Sequence, residues 1–304
     1  MHQQIDFNDM INESSKLIKK YGLKKHYRYI LVDEYQDTTY TNYNLIKSLQ
    51  DKTDAHLTVV GDDWQSIYGF RGTNIEFFSH FEEYFGNPQR IFIEKTYRNP
   101  QELIDIAGSF IMKNPKQIRK SLKSPKNLKK SVKIIYPQKN PIEKREMIYN
   151  LIKDLSEKSD DVLILGRINN NINQFIKHRN LVKKGNLKKD KFLRILDKTD
   201  KSMNNVYYRT LHSSKGLEAD NVIIINMVDD YLGFPSKLKT HSVLNYVNTR
   251  NYDYKYSEER RLFYVGLTRS KNNVYLISDK NNPSEFIEEL MDDSLENLEI
   301  IEYN

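Results

Sequence analysis

The chain has 304 residues, enough for about two domains that each bury a core, which excludes a small scaffold held by staples. It contains no cysteine. That removes disulfides, thiolate metal sites, iron–sulfur clusters and cysteine nucleophiles, leaves oxygen or histidine as metal donors, and favours an intracellular, cytoplasmic setting. Lys and Arg number 48 against 41 Asp and Glu, a net charge of +7 that suits a polyanionic partner without proving one.

The first residues, MHQQIDFNDM, carry acids and amides where a signal peptide needs a cationic end and an apolar core. The longest apolar runs, such as Val222 to Ile225, are too short to cross a bilayer, so a soluble protein without a membrane partner is expected. Mean hydropathy is low at −0.73, yet 12% aromatic residues and repeated β-branched runs supply apolar surface for folded lobes.

In chain order, buried strands are predicted at Tyr29 to Val32, Leu57 to Val60, Ile91 to Ile93, Val132 to Ile135, Val162 to Leu165, Val222 to Ile225 and Val274 to Ile277. A helix is predicted after Asn99-Pro100-Gln101-Glu102, with Asn99 as N-cap, Pro100 first in the helix, Glu102 at its third position, and Leu103, Ile104, Ala107 and Ile111 on one face. Ile142 to Leu155 reads as a second amphipathic helix, and the acidic tail from Ser284 as a terminal one. Strands alternating with helices predict an α/β fold with largely parallel sheets. Lys113 to Lys133 holds nine Lys and Arg and no acid, which fits a solvated connector or a phosphate-contacting surface; Lys177 to Lys198 is a similar basic stretch.

Two segments carry chemistry. At Ile30 to Asp37 an apolar strand delivers the adjacent acids Asp33 and Glu34 at its carboxyl end, the edge where open α/β sheets bind ligands. One such carboxylate can hold Mg²⁺ through its water shell while its neighbour orients an attacking water, although an isolated acid pair is more often a cap or a solvated turn. After the second strand, Val60 to Gly72 sets the Gln65 amide, the aromatics Tyr68 and Phe70, and Arg71 beyond a strand end, where one side can touch phosphate and the other can stack on bases.

These segments resemble motifs II and III of the UvrD/Rep family of superfamily 1 DNA helicases. The likeness continues through Thr96 to Pro100, Thr210 to Asp220 and Glu258 to Lys271, five ordered blocks between residues 30 and 271. It is greatest toward the helicase IV type, because Trp64 follows the Gly-Asp-Asp turn and Gly233 to Ser236 follows the strand after the Lys215-Gly216 block. The resemblance implies RecA-like lobes of the P-loop NTPase type: residues 1–96 as the latter part of a first lobe, with motifs II and III, and 97–304 as a second lobe with motifs IV to VI. The interval from Arg167 to Thr210 leaves no room for the accessory insertion of many relatives.

Carried onto this sequence, the resemblance implies that Asp33 binds Mg²⁺, Glu34 activates water and Gln65 senses the γ-phosphate of ATP. Tyr97 would stack on adenine, Arg98 and Arg269 would reach the γ-phosphate, Glu218 would bind the ribose, and Gly216 would belong to the same nucleotide site. Tyr68, Phe70, Arg71 and His212 would face single-stranded DNA. The remaining histidines show no ligand spacing; Arg260 and Arg261 read as salt-bridge partners on a helix surface, Tyr40 and Tyr43 as core, and Trp64 as either a packing anchor or part of the nucleotide pocket.

None of the eleven glycines belongs to a Gly-x-x-x-x-Gly-Lys-Ser/Thr loop. The expectation is therefore the carboxyl-terminal part of an ATP-dependent 3′-5′ DNA helicase, inactive until an amino-terminal segment from this or another chain completes it, with single-stranded DNA and duplex junctions as partners. The alternative is a DNA-binding or regulatory module that no longer hydrolyses ATP.

Overall fold

The computed structural model describes residues 4–138, 140–158, 161–175, 181–184, 193–197, 205–238 and 254–303. These fall into two compact units that part between residues 91 and 92. Most of the basic stretch Lys177 to Lys198 lies outside the described residues, as do His2, His178 and His241.

The first unit opens with helix α1 (Phe7–Tyr21), started by a reciprocal cap in which Asp6 Oδ1 accepts from the Asp9 amide at 2.8 Å and Asp9 Oδ2 accepts from the Asp6 amide at 3.1 Å. Strand β1 (Tyr29–Val32) pairs in parallel with β2 (His56–Val59), and helix α2 (Tyr40–Thr53), capped by Thr39, makes the crossover. Two short helices follow, α3 (Glu76–Ser79) and α4 (Phe81–Phe85). Their aromatic rings close the core of this unit: Tyr43 stacks on Phe77 at 4.6 Å, with Tyr35, Ile46, Phe81 and Tyr84 around them. Tyr43 is thus core as expected, whereas Tyr40 is half exposed while still touching Phe77 edge-on. Trp64 is 2% exposed, which makes it a packing anchor.

The second unit holds α5 (Gln101–Met112), β3 (Val132–Tyr136), α6 (Pro141–Glu157), β4 (Val162–Gly166), α7 (Asn171–Phe175), β5 (Leu181–Lys184), β6 (Leu193–Asp197), β7 (Val206–Thr210), β8 (Ala219–Met227), α8 (Ser257–Leu267), β9 (Ser270–Ser278), α9 (Glu285–Ser294) and β10 (Leu298–Glu302). They build one sheet in the order β10-β3-β9-β8-β4-β7-β6-β5, parallel except where β6 meets β5 and β7. Alternate strand residues face opposite layers. Ile135, Ile164 and Ile223 pack with Met147, Ile148 and Ile152 of α6. On α8, a Cβ at Gly266 would meet Ile224 and Leu165, which marks the other layer. There the rings of Phe110, Phe263 and Phe286, from α5, α8 and α9, lie 5.0 to 5.5 Å apart. Apolar on both faces, β4 and the central parts of β8 and β9 read as continuous hydrophobic runs.

Three sequence expectations fail. Ile91 to Ile93 forms no strand; Ile91 and Ile93 are 81% and 80% exposed, and no described strand runs alongside to satisfy the backbone. Asn99 does not cap α5: Pro100 holds the cap position, while the Asn99 amide donates to the carbonyls of Thr268 at 3.1 Å and Ser270 at 2.6 Å. Glu102 accepts instead from the Ser131 amide at 3.1 Å. Arg260 and Arg261 are buried rather than on a helix surface, although Arg260 does pair with an acid, Glu289.

Candidate active site

In the first unit, β1 ends at Val32 and the next two residues are the exposed acids. Glu34 adopts a left-handed backbone (φ 50°, ψ 39°), rare for a residue with a Cβ, and its amide donates to Asp33 Oδ1 at 2.8 Å. Beyond β2, Asp62 turns the chain into a short 3-10 segment by accepting from the Trp64 amide at 3.1 Å and from the Gln65 side chain at 2.6 Å. Residues that follow strands 27 positions apart thus meet at one end of the two-stranded sheet, because a parallel pair brings both carboxyl ends to the same edge.

The same turn carries the aromatic group. Tyr68 and Phe70 lie edge to face at 6.1 Å, and the Arg71 guanidinium sits over both rings, at 4.9 and 5.5 Å. Phe70 is 47% exposed and Arg71 is exposed, so this cluster presents a ring face and a cation to solvent.

In the second unit, Lys95, Thr96, Tyr97, Arg98, Lys126, Glu218 and Lys271 line an open depression of about 560 Å³. Arg98 Nε donates to Glu218 Oε2 at 2.8 Å, and Lys271 Nζ lies 3.3 Å from Glu218 Oε1. Desolvation pushes the Glu218 carboxyl up, but the hydrogen bonds and charges of Arg98 and Lys271 outweigh it and hold the group below the usual carboxylate range. Tyr97 is 70% exposed at the rim, with Lys95 Nζ 5.1 Å from its ring centre. One acid among four cations leaves the depression net positive, suited to an anion with an aromatic part.

Gly216 takes φ +79° in the turn that leads to Glu218, a conformation that favours glycine. Glu218 and Arg269 stand just before β8 and β9, at the amino edge of this sheet, whereas His212 follows β7 at the carboxyl edge and does not join the depression. Arg269 is 2% exposed: Nε donates to the Val265 carbonyl at 2.9 Å and Nη1 to the Leu217 carbonyl at 3.2 Å.

Sequence reading passed over several residues that organise these groups. Asn99 ties the Tyr97-Arg98 segment to the carbonyls flanking Arg269. Lys126, from the basic connector, lines the depression and donates to the Lys271 carbonyl and to Asn272 Oδ1. Its segment is pinned along the strand-like stretch before α5, with Thr96 N to Lys123 O at 2.9 Å and Gln101 N to Lys126 O at 2.8 Å. The density of Lys in Lys113 to Lys133 was the available signal. Gln36, buried between the acids and the Asp62 turn, gave none, because in sequence it stands among other polar residues, Glu34, Asp37 and Thr38.

Residues 1–86 match the UvrD/REP helicase N-terminal domain and residues 176–281 the UvrD-like helicase C-terminal domain. The chain belongs to the UvrD-like superfamily 1 helicases. Among relatives, DNA helicase IV of Escherichia coli K12 is 28% identical over 93% of this chain and 38% of its own length. A probable DNA helicase of Mycoplasma pneumoniae is 28% identical over 90% of this chain and 48% of its own. The ATP-dependent DNA helicase Rep of Buchnera aphidicola is 32% identical over 57% of this chain and 27% of its own. The chain therefore spans less than half the length of these curated relatives. The parallel α/β sheets agree with the RecA-like lobes of a UvrD-like helicase, and among the described residues no helix is long and apolar enough to cross a membrane.

Proposed function

We propose that this chain is part of an ATP-dependent 3′-5′ DNA helicase that couples ATP hydrolysis to movement on single-stranded DNA. Residues 1–96 would be the latter part of its first RecA-like lobe and 97–304 its second. The observation that carries this reading is the group at the carboxyl ends of β1 and β2, where an exposed acid pair stands beside a turn that orients a glutamine amide. Asp33 would hold Mg²⁺, and the fit is chemical: two exposed carboxylates suit a hard cation that keeps most of its waters and takes its other ligands from phosphate. The ion would supply charge neutralisation on the phosphates. Glu34 would take a proton from the attacking water, and Gln65 would touch the γ-phosphate.

In the second unit, Tyr97 would stack on adenine, Glu218 and the Gly216 turn would contact the ribose side, and Arg98 and Arg269 would stabilise charge on the transferred phosphoryl group. Tyr68, Phe70, Arg71 and His212 would grip single-stranded DNA and duplex junctions through stacking and phosphate contacts. The glycine-rich loop that cradles the β-phosphate is assigned to polypeptide outside these 304 residues. The apolar residues Phe7, Tyr29 and Leu31 on the first unit, all well exposed, suit cover by such a segment.

The test is DNA-stimulated ATP hydrolysis. The chain alone should show little or none, and the chain joined to an amino-terminal helicase segment with the Gly-rich loop should turn over and lose turnover with Glu34→Gln. Turnover by the chain alone that Glu34→Gln abolishes would mean the loop is not needed. Salt-sensitive DNA binding with no turnover in the joined form would favour the non-hydrolysing module.

A further inference from the structure

Between the acid pair and the Asp62 turn lies one side chain that no role above accounts for. Gln36 is fully buried, and its amide makes two bonds of opposite sense: Nε2 donates to Glu34 Oε2 at 2.5 Å, and Oε1 accepts from the Asp62 amide at 2.9 Å. The chemistry fixes the orientation, since a flipped amide would set oxygen against carboxylate and NH₂ against a backbone N–H. Its own carbonyl accepts from Ser66 Oγ at 3.2 Å, so main chain and side chain both bind the turn. Asp62 in turn accepts from the Gln65 side chain at 2.6 Å. The result is a series, Glu34 to Gln36 to Asp62 to Gln65, whose two bonds at Asp62 fall on its amide N–H and on its carboxylate, and which joins the stretches after β1 and β2.

The neighbourhood is built around this amide. A Cβ at Gly61 would lie 2.5 Å from Gln36 Oε1 and 2.9 Å from Phe78, so only glycine lets the turn approach closely enough for the Asp62 bond. Glu34 is held in its left-handed backbone at the other end of the series. Hydrogen bonds made by a buried amide such as that of Gln36 are stronger than the same bonds in water, because the local dielectric is low.

We infer that Gln36 is a positioning residue that transmits the state of Glu34 to the Asp62-Gln65 turn through its buried side-chain amide. For catalysis this rests on the reading of Glu34 and Gln65 given above, because it would let the group facing the water and the group facing the γ-phosphate respond together. The physical coupling does not depend on that reading.

The experiment is a double-mutant cycle on the chain as it stands, read by the NMR resonances of the Asp62 backbone amide and the Gln65 side-chain amide, without nucleotide. Glu34→Ala should displace both resonances in the parent and leave them unmoved in a Gln36→Met background, while amides of β1, β2 and α2 stay in place. No displacement in the parent, or an equal one in Gln36→Met, would overturn the relay and leave proximity as the cause. Should Gln36→Met fail to fold, Gln36→Leu removes the same two amide bonds with an uncharged side chain of different shape. Glu34→Ala should then have no effect on the turn, and a retained effect overturns the inference. Loss of the hydrolytic role of Glu34 would appear only in the ATPase assay, so the two failures are distinguishable.

Discussion

Arg260 donates to both oxygens of Glu289, at 2.8 and 2.5 Å, and its guanidinium lies about 5 Å from the rings of Phe110, Tyr254 and Phe286. Desolvation pushes the Glu289 carboxyl up, but Arg260, with Lys113 beside it, outweighs this and holds it below the usual carboxylate range. A carboxyl lowered in the folded state adds stability that is full above its unfolded value of about 4.3 and is lost as pH falls through the folded one. Urea unfolding across pH should therefore show an acid limb below that range, and Glu289→Gln should flatten it; an unchanged limb would place the acid sensitivity elsewhere. At the exposed end of the scale stands Phe70. If its ring is a stacking platform, Phe70→Ala should weaken single-stranded DNA binding by about 1–3 kcal/mol in anisotropy titrations. Unchanged DNA affinity with lost stability would make it a core residue.

At the scale of elements, β1 and β2 form a parallel pair with one poorly covered face, where Leu31 is 76% exposed. Leu31→Ser should change the unfolding free energy of this chain by no more than about 0.5 kcal/mol. In the form joined to an amino-terminal segment that covers the face, the same change should cost about 1.5–3 kcal/mol, the worth of burying that side chain. Equal effects in the two forms would mean the face stays open. Covering also explains what the sequence made legible. Strands of the large sheet with both faces buried, such as β4, β8 and β9, stood out as apolar runs, whereas β5, with Lys183 and Lys184, and β7, with Tyr207 and Arg209, did not. Ile91 to Ile93 has a strand's composition without a pairing strand among the described residues, and Asn99 has a cap's composition but is claimed by carbonyls 169 and 171 residues away. Local pattern finds the motif residues; the contacts that position them are long-range and appear only on folding.

For the whole molecule, the residues proposed to act in phosphoryl transfer belong to both units: Asp33, Glu34 and Gln65 to the first, Arg98 and Arg269 to the second. The buried bonds of Arg269 bear on how its role can be tested. Removing the guanidinium outright would take a donor from the Leu217 carbonyl, at about 1–3 kcal/mol, and leave the Val265 carbonyl with Thr268 Oγ1 at 3.3 Å, so a loss of activity in Arg269→Ala would not separate folding from catalysis. Arg269→Lys keeps the charge but not the planar fork that can serve carbonyls and phosphate together. In the form able to bind ATP, Arg269→Lys should leave ATP and DNA affinity nearly unchanged while lowering turnover by roughly 10³-fold or more, the order expected when an arginine contact to a transferring phosphoryl group is lost. Arg260→Lys, committed to Glu289 and the aromatic cluster, should spare turnover at temperatures where the variant is folded. Weakened nucleotide affinity with normal turnover in Arg269→Lys would make that residue a ground-state binder, and a larger turnover defect in folded Arg260→Lys would reassign the role to Arg260.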